Sequence, residues 1–169
     1  SRTAVAVLHA PRMTLPDFTD ILRARKSLAP YLHSTPLYHY QSISDLLNAE
    51  AWVKHENHLP TGAFKVRGAV NFAASLSPDA LARGIHTASS GNLGVGTAYA
   101  AHRFGLRAVV NLPGSVSPAR IGMVEEWGAE VRLMDPLDRQ AATEAARREG
   151  AVFLSPDEPA FIAGVGTFT

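Results

Sequence analysis

The sequence has no cysteine. Disulfide staples, thiolate nucleophiles and cysteine-ligated metals are thereby excluded. Charge is also scarce: 18% of residues are acidic or basic, 16 Lys and Arg against 15 Asp and Glu, for a formal net charge of +1. That balance carries no electrostatic footprint for nucleic acid or an anionic membrane, and neither is expected as a partner. Apolar runs fall well short of the roughly 20 residues a membrane-spanning helix needs. The first residues lack the basic, apolar, small-residue order of a signal peptide, so a cytoplasmic location is expected. His55 and His58 flank Glu56 and Asn57 without forming H-E-x-x-H, and the other histidines have no ligand partners at useful spacing. A polar rim is the expectation there, and no metal site.

What is present describes a globular chain. Its 169 residues, 46% of them hydrophobic, suffice for one ordinary domain or for a small domain with part of another. After a loose start over residues 1–12, a helix is expected beyond Pro16, with Phe18, Ile21, Leu22, Ala29 and Leu32 on one face and Pro30 ending it. Residues 42–49 read as a second helix with Leu46 and Leu47 inward, and residues 51–55 as a strand.

From Ser77 onward a local grammar repeats. Ser77-Pro78, Ser117-Pro118 and Asp135-Pro136 each place a capping side chain before a proline at the first helical position, and the segments end near Gly84, Gly128 and Gly150. Between them lie apolar or β-branched runs at 85–88, 107–111, 130–133 and 151–154. Strand and helix thus alternate from 85 to 154, the sequence appearance of an α/β fold: a parallel sheet with crossover helices. The expected organisation is a complete small α/β domain at 85–154, set into an incomplete larger α/β domain formed by 1–84 and 155–169.

Two stretches carry chemistry. In the first, residues 53–69, an apolar strand enters a loop with Pro60 and Gly62, and a helical pattern starts around Lys65. Lys65 thus sits where a strand hands over to a helix. An amine near the positive end of a helix dipole has its neutral form favoured, which suits Schiff-base formation with an aldehyde. On chemistry alone, the alternative is a solvated lysine in the first turn of an amphipathic helix. Arg67 is either the partner of a nearby acid that stabilises this turn or another solvated helix residue.

The second stretch runs from Thr87 to Gly96 and is rich in small residues. It lies between a strand and a helix expected over 96–104, and it presents backbone N–H groups suited to a carboxylate or phosphate. Its glycines follow G-x-x-G-x-G, and the next strand ends in Asn111 where a dinucleotide site would place an acid, so a dinucleotide fingerprint is disfavoured. A tight turn whose glycines only let helix and strand approach remains the other reading. His86 reads as a satisfied structural histidine, Trp127 as packing, and residues 144–149 as an exposed helix face.

The pair Pro-Thr-Gly-Ala-Phe-Lys-Val-Arg-Gly-Ala at 60–69 and Ser-Ser-Gly-Asn-Leu-Gly at 89–94 resembles the threonine and serine dehydratases and serine racemases, pyridoxal-phosphate enzymes of the tryptophan-synthase-β-like fold. The resemblance extends to Thr35-Pro36-Leu37, Gly128-Ala129-Glu130-Val131 and Ile162-Ala163-Gly164-Val165-Gly166-Thr167. It implies an ammonia-lyase that uses pyridoxal 5'-phosphate and eliminates water from a small β-hydroxy amino acid. By the same resemblance Lys65 forms the Schiff base and moves the α-proton, Phe64 positions the cofactor ring, and Asn92 hydrogen-bonds its 3-oxygen. Ser89, Ser90, Gly91, Asn92 and Leu93 bind the substrate carboxylate. Ser90 matches the position that serves as acid or base on the opposite face in the racemases.

The chain departs from the family pattern at Ala63, where serine is usual, at Leu93, where histidine is common, and at Val165, where glutamine is frequent. Leucine at 93 is more reminiscent of the D-serine dehydratases. A racemase or a β-replacement enzyme of the same fold is therefore the alternative, and a non-catalytic α/β binding module with an inert Lys65 is the alternative of another class. Family members continue for a similar length again, with a glycine-rich phosphate cradle that has no counterpart here. The chain is accordingly expected to be an N-terminal half, inactive in isolation, of an enzyme that is a homo-oligomer when complete.

Overall fold

The computed structural model describes residues 15–168, and the loose start expected over 1–12 lies outside them. Helix α1 (Phe18–Leu28) opens on a capping box, in which Asp17 Oδ1 accepts from the Asp20 N–H at 2.9 Å and Asp20 Oδ2 accepts from the Asp17 N–H at 3.0 Å. It ends ahead of Pro30, as expected. Its buried residues are Ala24 and Leu28, whereas Phe18 and Leu22 are exposed. The apolar arc is wider than the surface that covers it, and Ile21 marks its edge by resting against Gly166.

Strands β1 (Leu37–His39) and β2 (Trp52–Lys54) pair antiparallel, with helix α2 (Gln41–Leu47) between them. Here the expectation of inward Leu46 and Leu47 is corrected: both are exposed, at 84% and 62%. The buried position is Ser44, whose hydroxyl donates to the Tyr40 carbonyl and accepts from the Ala51 N–H, each at 2.9 Å. At about 100° per residue, Leu46 then lies on the far side of so short a helix.

A 3-10 turn at Glu56–His58 leads through the lysine loop into α3 (Lys65–Ser75), in which every residue from Val66 to Ala73 is buried. After α4 (Pro78–Arg83) come β3 (Ile85–Ala88), α5 (Asn92–Phe104), β4 (Ala108–Leu112), α6 (Pro118–Glu125), β5 (Glu130–Leu133), α7 (Arg139–Arg148), β6 (Val152–Phe153) and α8 (Pro159–Val165). Ser77 and Ser117 cap α4 and α6 as expected. Asp135-Pro136 does not cap α7; its peptide bond is cis and lies in the preceding turn. Asp138 takes the capping role, because its carboxylate accepts from two N–H groups, those of Gln140 (2.8 Å) and Ala141 (3.1 Å).

The four strands of 85–154 form one parallel sheet in the order β5-β4-β3-β6. Strands β3 and β4 are buried at every position, as strands covered on both faces must be. From β3 the chain steps outward through β4 to β5, then returns to the other side of β3 with β6. The order therefore reverses beside β3, and crevices outside the carboxyl ends of strands at such a reversal are where open α/β sheets bind ligands. The residues that follow β3 are Ser89, Ser90 and Gly91.

Helix α5 joins two halves of the core. Leu93, Tyr99 and Ala100 pack with α3, Leu154 and Phe161, while Val95, Ala98 and Ala101 pack with β4 and Val124 of α6. Outside the sheet, α1, α3 and α8 pack on one another. The α3–α8 contact is close because both sides are glycine: a Cβ on Gly164 would stand 2.6 Å from the Arg67 carbonyl oxygen and 2.8 Å from Gly68 Cα. Among the described residues no helix is long and apolar enough to cross a membrane.

Candidate active site

Lys65 is the first residue of α3, and its turn is held from two directions. From the β2 side, Arg67 Nε donates to Glu56 Oε2 at 2.6 Å and Nη2 donates to Oε1 at 3.0 Å. Glu56 Oε1 also accepts from the Thr35 hydroxyl at 2.5 Å, and Lys54 Nζ donates to the Thr35 carbonyl at 2.9 Å. Arg67 therefore has an acid partner, and the solvated alternative is set aside: its side chain is 7% exposed and that of Glu56 13%. Burial by itself would raise the Glu56 carboxyl, but hydrogen bonds from Arg67 and Thr35 and the charges of Arg67 and Lys54 outweigh it and hold the pKa below the ordinary value.

From the other direction α5 lies on the lysine turn. A Cβ on Gly96 would stand 3.2 Å from Val66 Cα and 3.4 Å from the Lys65 carbonyl carbon. The Lys65 side chain is half-buried, and it makes no ion pair or hydrogen bond among the described residues.

The second stretch hangs from the carboxyl end of β3. Asn111 Nδ2 donates to the Thr87 carbonyl at 3.0 Å, the Ser89 N–H donates to the Asn111 carbonyl at 3.1 Å, and the Thr87 hydroxyl donates to the Leu154 carbonyl at 2.9 Å. Ser89 Oγ accepts from the Gly91 N–H at 3.2 Å and closes the turn. Helix α5 starts at Asn92, four residues before the expected start at Gly96. Gly94 and Gly96 are thus contact glycines inside a helix, not loop glycines: a Cβ on Gly94 would meet Val110 Cγ1 at 2.8 Å and the Ser89 carbonyl at 2.9 Å. No side chain caps α5; the Gly94 N–H donates to the Gly91 carbonyl at 3.1 Å, and the N–H groups of Asn92 and Leu93 have no acceptor among the described residues at the positive end of a 13-residue helix. Ser90 is exposed, whereas the Leu93 side chain is 2% exposed and belongs to the core, leaving its backbone to meet a ligand.

Lysine turn and loop therefore meet on one helix. Lys65 lies against α5 at Gly96, and Asn92 stands one turn nearer its N-terminus, about 6 Å along the axis. Asn92 Oδ1 accepts from Arg120 Nη1 at 3.3 Å. Phe64, 41% exposed, lines an open cavity of about 370 Å³ with Lys54, Glu56 and Phe168.

Among the other candidates, Trp127 packs edge-on to Tyr99, as expected. His86 is corrected. It is 1% exposed, yet neither ring nitrogen has a hydrogen bond among the described residues, and Glu149 Oε2 stands 3.7 Å from Nε2. Burial pushes its pKa down against the pull of Glu149. Glu149 itself is not a freely solvated residue: Arg132 and Arg107 both hydrogen-bond to its carboxylate. The hydrogen bonds from Arg132 hold its pKa down at about 2, against the desolvation that opposes them. Two residues of the site escaped sequence reasoning. Asn111, the polar residue in an otherwise apolar strand, carried a usable signal, and Arg120, 28 positions from the asparagine it meets, carried none.

Comparison with known proteins identifies the family. Residues 28–169 match the family described as pyridoxal-phosphate dependent enzyme. The chain is 38% identical over 154 residues to an L-threonine ammonia-lyase of Geobacter sulfurreducens, covering 89% of this chain and 38% of the relative. It is 33% identical over 158 residues to the human serine racemase, covering 89% and 46%. The structure superposes on that of maize serine racemase with a TM-score of 0.86 at 28% identity, covering 92% of this chain and 48% of that one. The chain thus spans less than half the length of these relatives. With the matched residues running from the end of α1 through both stretches, the chain belongs to the pyridoxal-phosphate-dependent enzyme family.

Proposed function

We propose that this chain supplies the lysine and the carboxylate loop of an ammonia-lyase that uses pyridoxal 5'-phosphate and converts a β-hydroxy amino acid to a 2-keto acid and ammonia. The observation that carries the proposal is a half-buried Lys65 without an acid partner, set by a glycine contact against the helix whose uncapped end begins at Asn92. This donor set fits the group: an amine for its aldehyde, an amide for its 3-oxygen and open N–H groups for a substrate carboxylate. When bound, the cofactor accepts the electron pair left behind as the α-proton departs.

The chain's own residues do the rest. Lys65 Nζ is the attachment point and then the base that takes the α-proton. The N–H groups at the start of α5, with the Ser89 and Ser90 hydroxyls, hold the carboxylate and turn the Cα–H toward that base. Asn92 Nδ2 donates to the 3-oxygen. Phe64, one residue before the lysine, offers its half-exposed ring as an apolar edge.

Racemisation or β-replacement is the second reading, favoured by the likeness to serine racemases and by the exposed Ser90 hydroxyl, which could move a proton on the face opposite Lys65. We assign residues 85–154, which contain the whole parallel sheet, to a small domain, and 1–84 with 155–169 to a larger one, supported by the packing of α1, α3 and α8 outside the sheet. The complete enzyme is proposed to be a cytoplasmic homo-oligomer.

The test is spectroscopic and then chemical. The complete enzyme loaded with pyridoxal phosphate should be yellow, and Lys65→Ala should abolish the absorption band; colour that survives the substitution removes Lys65 from the site and leaves a binding module. Incubation with L-threonine, L-serine and D-serine, following keto acid and enantiomer, separates the two enzymatic readings. Racemised serine without keto acid would overturn the lyase.

A further inference from the structure

We propose that Arg120 is a positioning residue that decides which end of the Asn92 side-chain amide faces the cofactor. The inference rests on the placement of Asn92 at the cofactor's 3-oxygen. The two ends of an amide have nearly the same shape, so packing chooses poorly between them and hydrogen bonding must choose. A bound 3-oxygen is an acceptor and needs the Nδ2 end. An Asn92 side chain turned the other way would set two acceptors against each other.

Arg120 Nη1 donates to Asn92 Oδ1 at 3.3 Å. A guanidinium has five donors and no acceptor, so it can stabilise only the orientation in which Oδ1 faces it and Nδ2 faces away. The Nδ2 group has no partner among the described residues and is available to donate.

Arg120 is itself fixed. It is the third residue of α6, its N–H is accepted by the Ser117 carbonyl at 3.0 Å and Oγ at 3.4 Å, and α6 packs on α5. Its other side-chain hydrogen bond among the described residues is to Met123 Sδ at 3.8 Å. Arg107 and Arg132 are tied to Glu130 and Glu149, but Arg120 has no carboxylate partner among the described residues. Its charge is therefore undivided at Asn92. It polarises the amide, strengthens the N–H groups on the far side, and favours the anionic form of whatever accepts from them. The device links α6 to the start of α5 without Arg120 touching the reacting atoms.

The experiment compares Arg120→Met, which keeps the stem and removes the donors, with Arg120→Lys, which keeps a donor. In the complete enzyme, Arg120→Met should weaken pyridoxal-phosphate affinity roughly tenfold, as expected for loss of one charge-assisted hydrogen bond. It should also move the midpoint of the pH titration of the absorption band upward by about one pH unit, while Arg120→Lys recovers most of both effects. Independently of cofactor, the Asn92 Nδ2 signals in ¹H–¹⁵N spectra of the complete enzyme freed of pyridoxal phosphate should shift in Arg120→Met and much less in Arg120→Lys. Circular dichroism of both variants checks the fold, and Arg120→Gln, which keeps a neutral donor, replaces the Met variant if that one fails to fold and should then retain affinity while losing the charge effect on the midpoint. An unchanged affinity and midpoint in Arg120→Met, unchanged Asn92 signals, or equal damage from Lys and Met overturns the inference. Failure of the underlying site looks different: the parent enzyme shows no band, Lys65→Ala keeps it, or Asn92→Ala leaves its midpoint where it was.

Discussion

Removing the Glu56 carboxylate should be among the most damaging single changes at this site, and the structure indicates by how much. Glu56→Ala leaves the Arg67 guanidinium, 7% exposed, without the two hydrogen bonds at 2.6 and 3.0 Å that compensate its burial. Breaking a buried pair from one side costs about 3–5 kcal/mol, because the surviving charge has no partner. For a domain of ordinary stability, about 5–15 kcal/mol, that is about a fifth or more of the total and lowers Tm on the order of 10 °C. The double variant Glu56→Leu, Arg67→Met removes both charges and should recover most of the loss, since the pair is worth little net against a well-packed apolar replacement. The pH dependence has a definite sign. The folded Glu56 pKa lies below its unfolded value, so its stabilisation is present above that value, about 4.3, and is lost as pH falls through the folded pKa. Urea unfolding followed by Trp fluorescence, run as a double-mutant cycle at pH 7 and pH 4, gives each quantity. A Glu56→Ala cost under about 1 kcal/mol would mean that Arg67 finds water or another acid, and the account of the lysine turn would be refuted.

The glycine contacts and the buried histidine give two further predictions. Gly164→Ala places a methyl 2.6 Å from the Arg67 carbonyl and 2.7 Å from Asn71 Cβ, so it should destabilise by about 1–3 kcal/mol or more, whereas Gly122→Ala on α6, with nothing within 4 Å, should stabilise by about 0.5–1 kcal/mol; thermal melts that rank them the other way refute the packing. His86 has its folded pKa below its unfolded value of about 6.5, so the unfolded chain binds a proton more readily and stability falls as pH drops below that value. His86→Leu, which also removes two unbonded ring nitrogens, should flatten this acid limb in denaturation midpoints measured from pH 7.5 to 5.

The α/β fold was legible because strand and helix signals alternate at spacings that leave little choice. The runs at 85–88 and 130–133 are strands at those bounds, and Ser77 and Ser117 cap as their prolines predict. Where expectation missed, tertiary contact had overruled local pattern. Leu46 and Leu47 look like an inward pair, but a single hydroxyl at Ser44, bonded to two backbone groups, decides which side of α2 is covered. Gly94 and Gly96 look like loop residues because glycine usually signals a turn. Their function is to admit Val110 on one side and Val66 on the other, and nothing local announces a neighbour 30 residues away. The lysine and the loop were each legible as motifs, but the residues that hold them, Glu56, Asn111 and Arg120, act across 11 to 28 positions, and only the fold brings them to their partners.

Where those holding residues sit constrains how the site could close. The lysine turn is tied to the outer layer through Glu56 and Thr35, and the loop is tied to the sheet through Asn111 and Thr87. Neither tie crosses between the two groups of elements. The main element that crosses is α5, with one face on α3 and the other on β4, and Ile85 of β3 shares the core of α3, so any movement of the sheet relative to the lysine would have to disturb that packing. Leu93 and Tyr99 pack with α3 along this contact, and at Gly96 the absent side chain lets α5 approach the Val66 backbone. The same glycine brings Asn92 within about a turn of Lys65. A side chain at 96 would separate the two stretches, so the approach of the lysine turn to the loop depends on that one glycine.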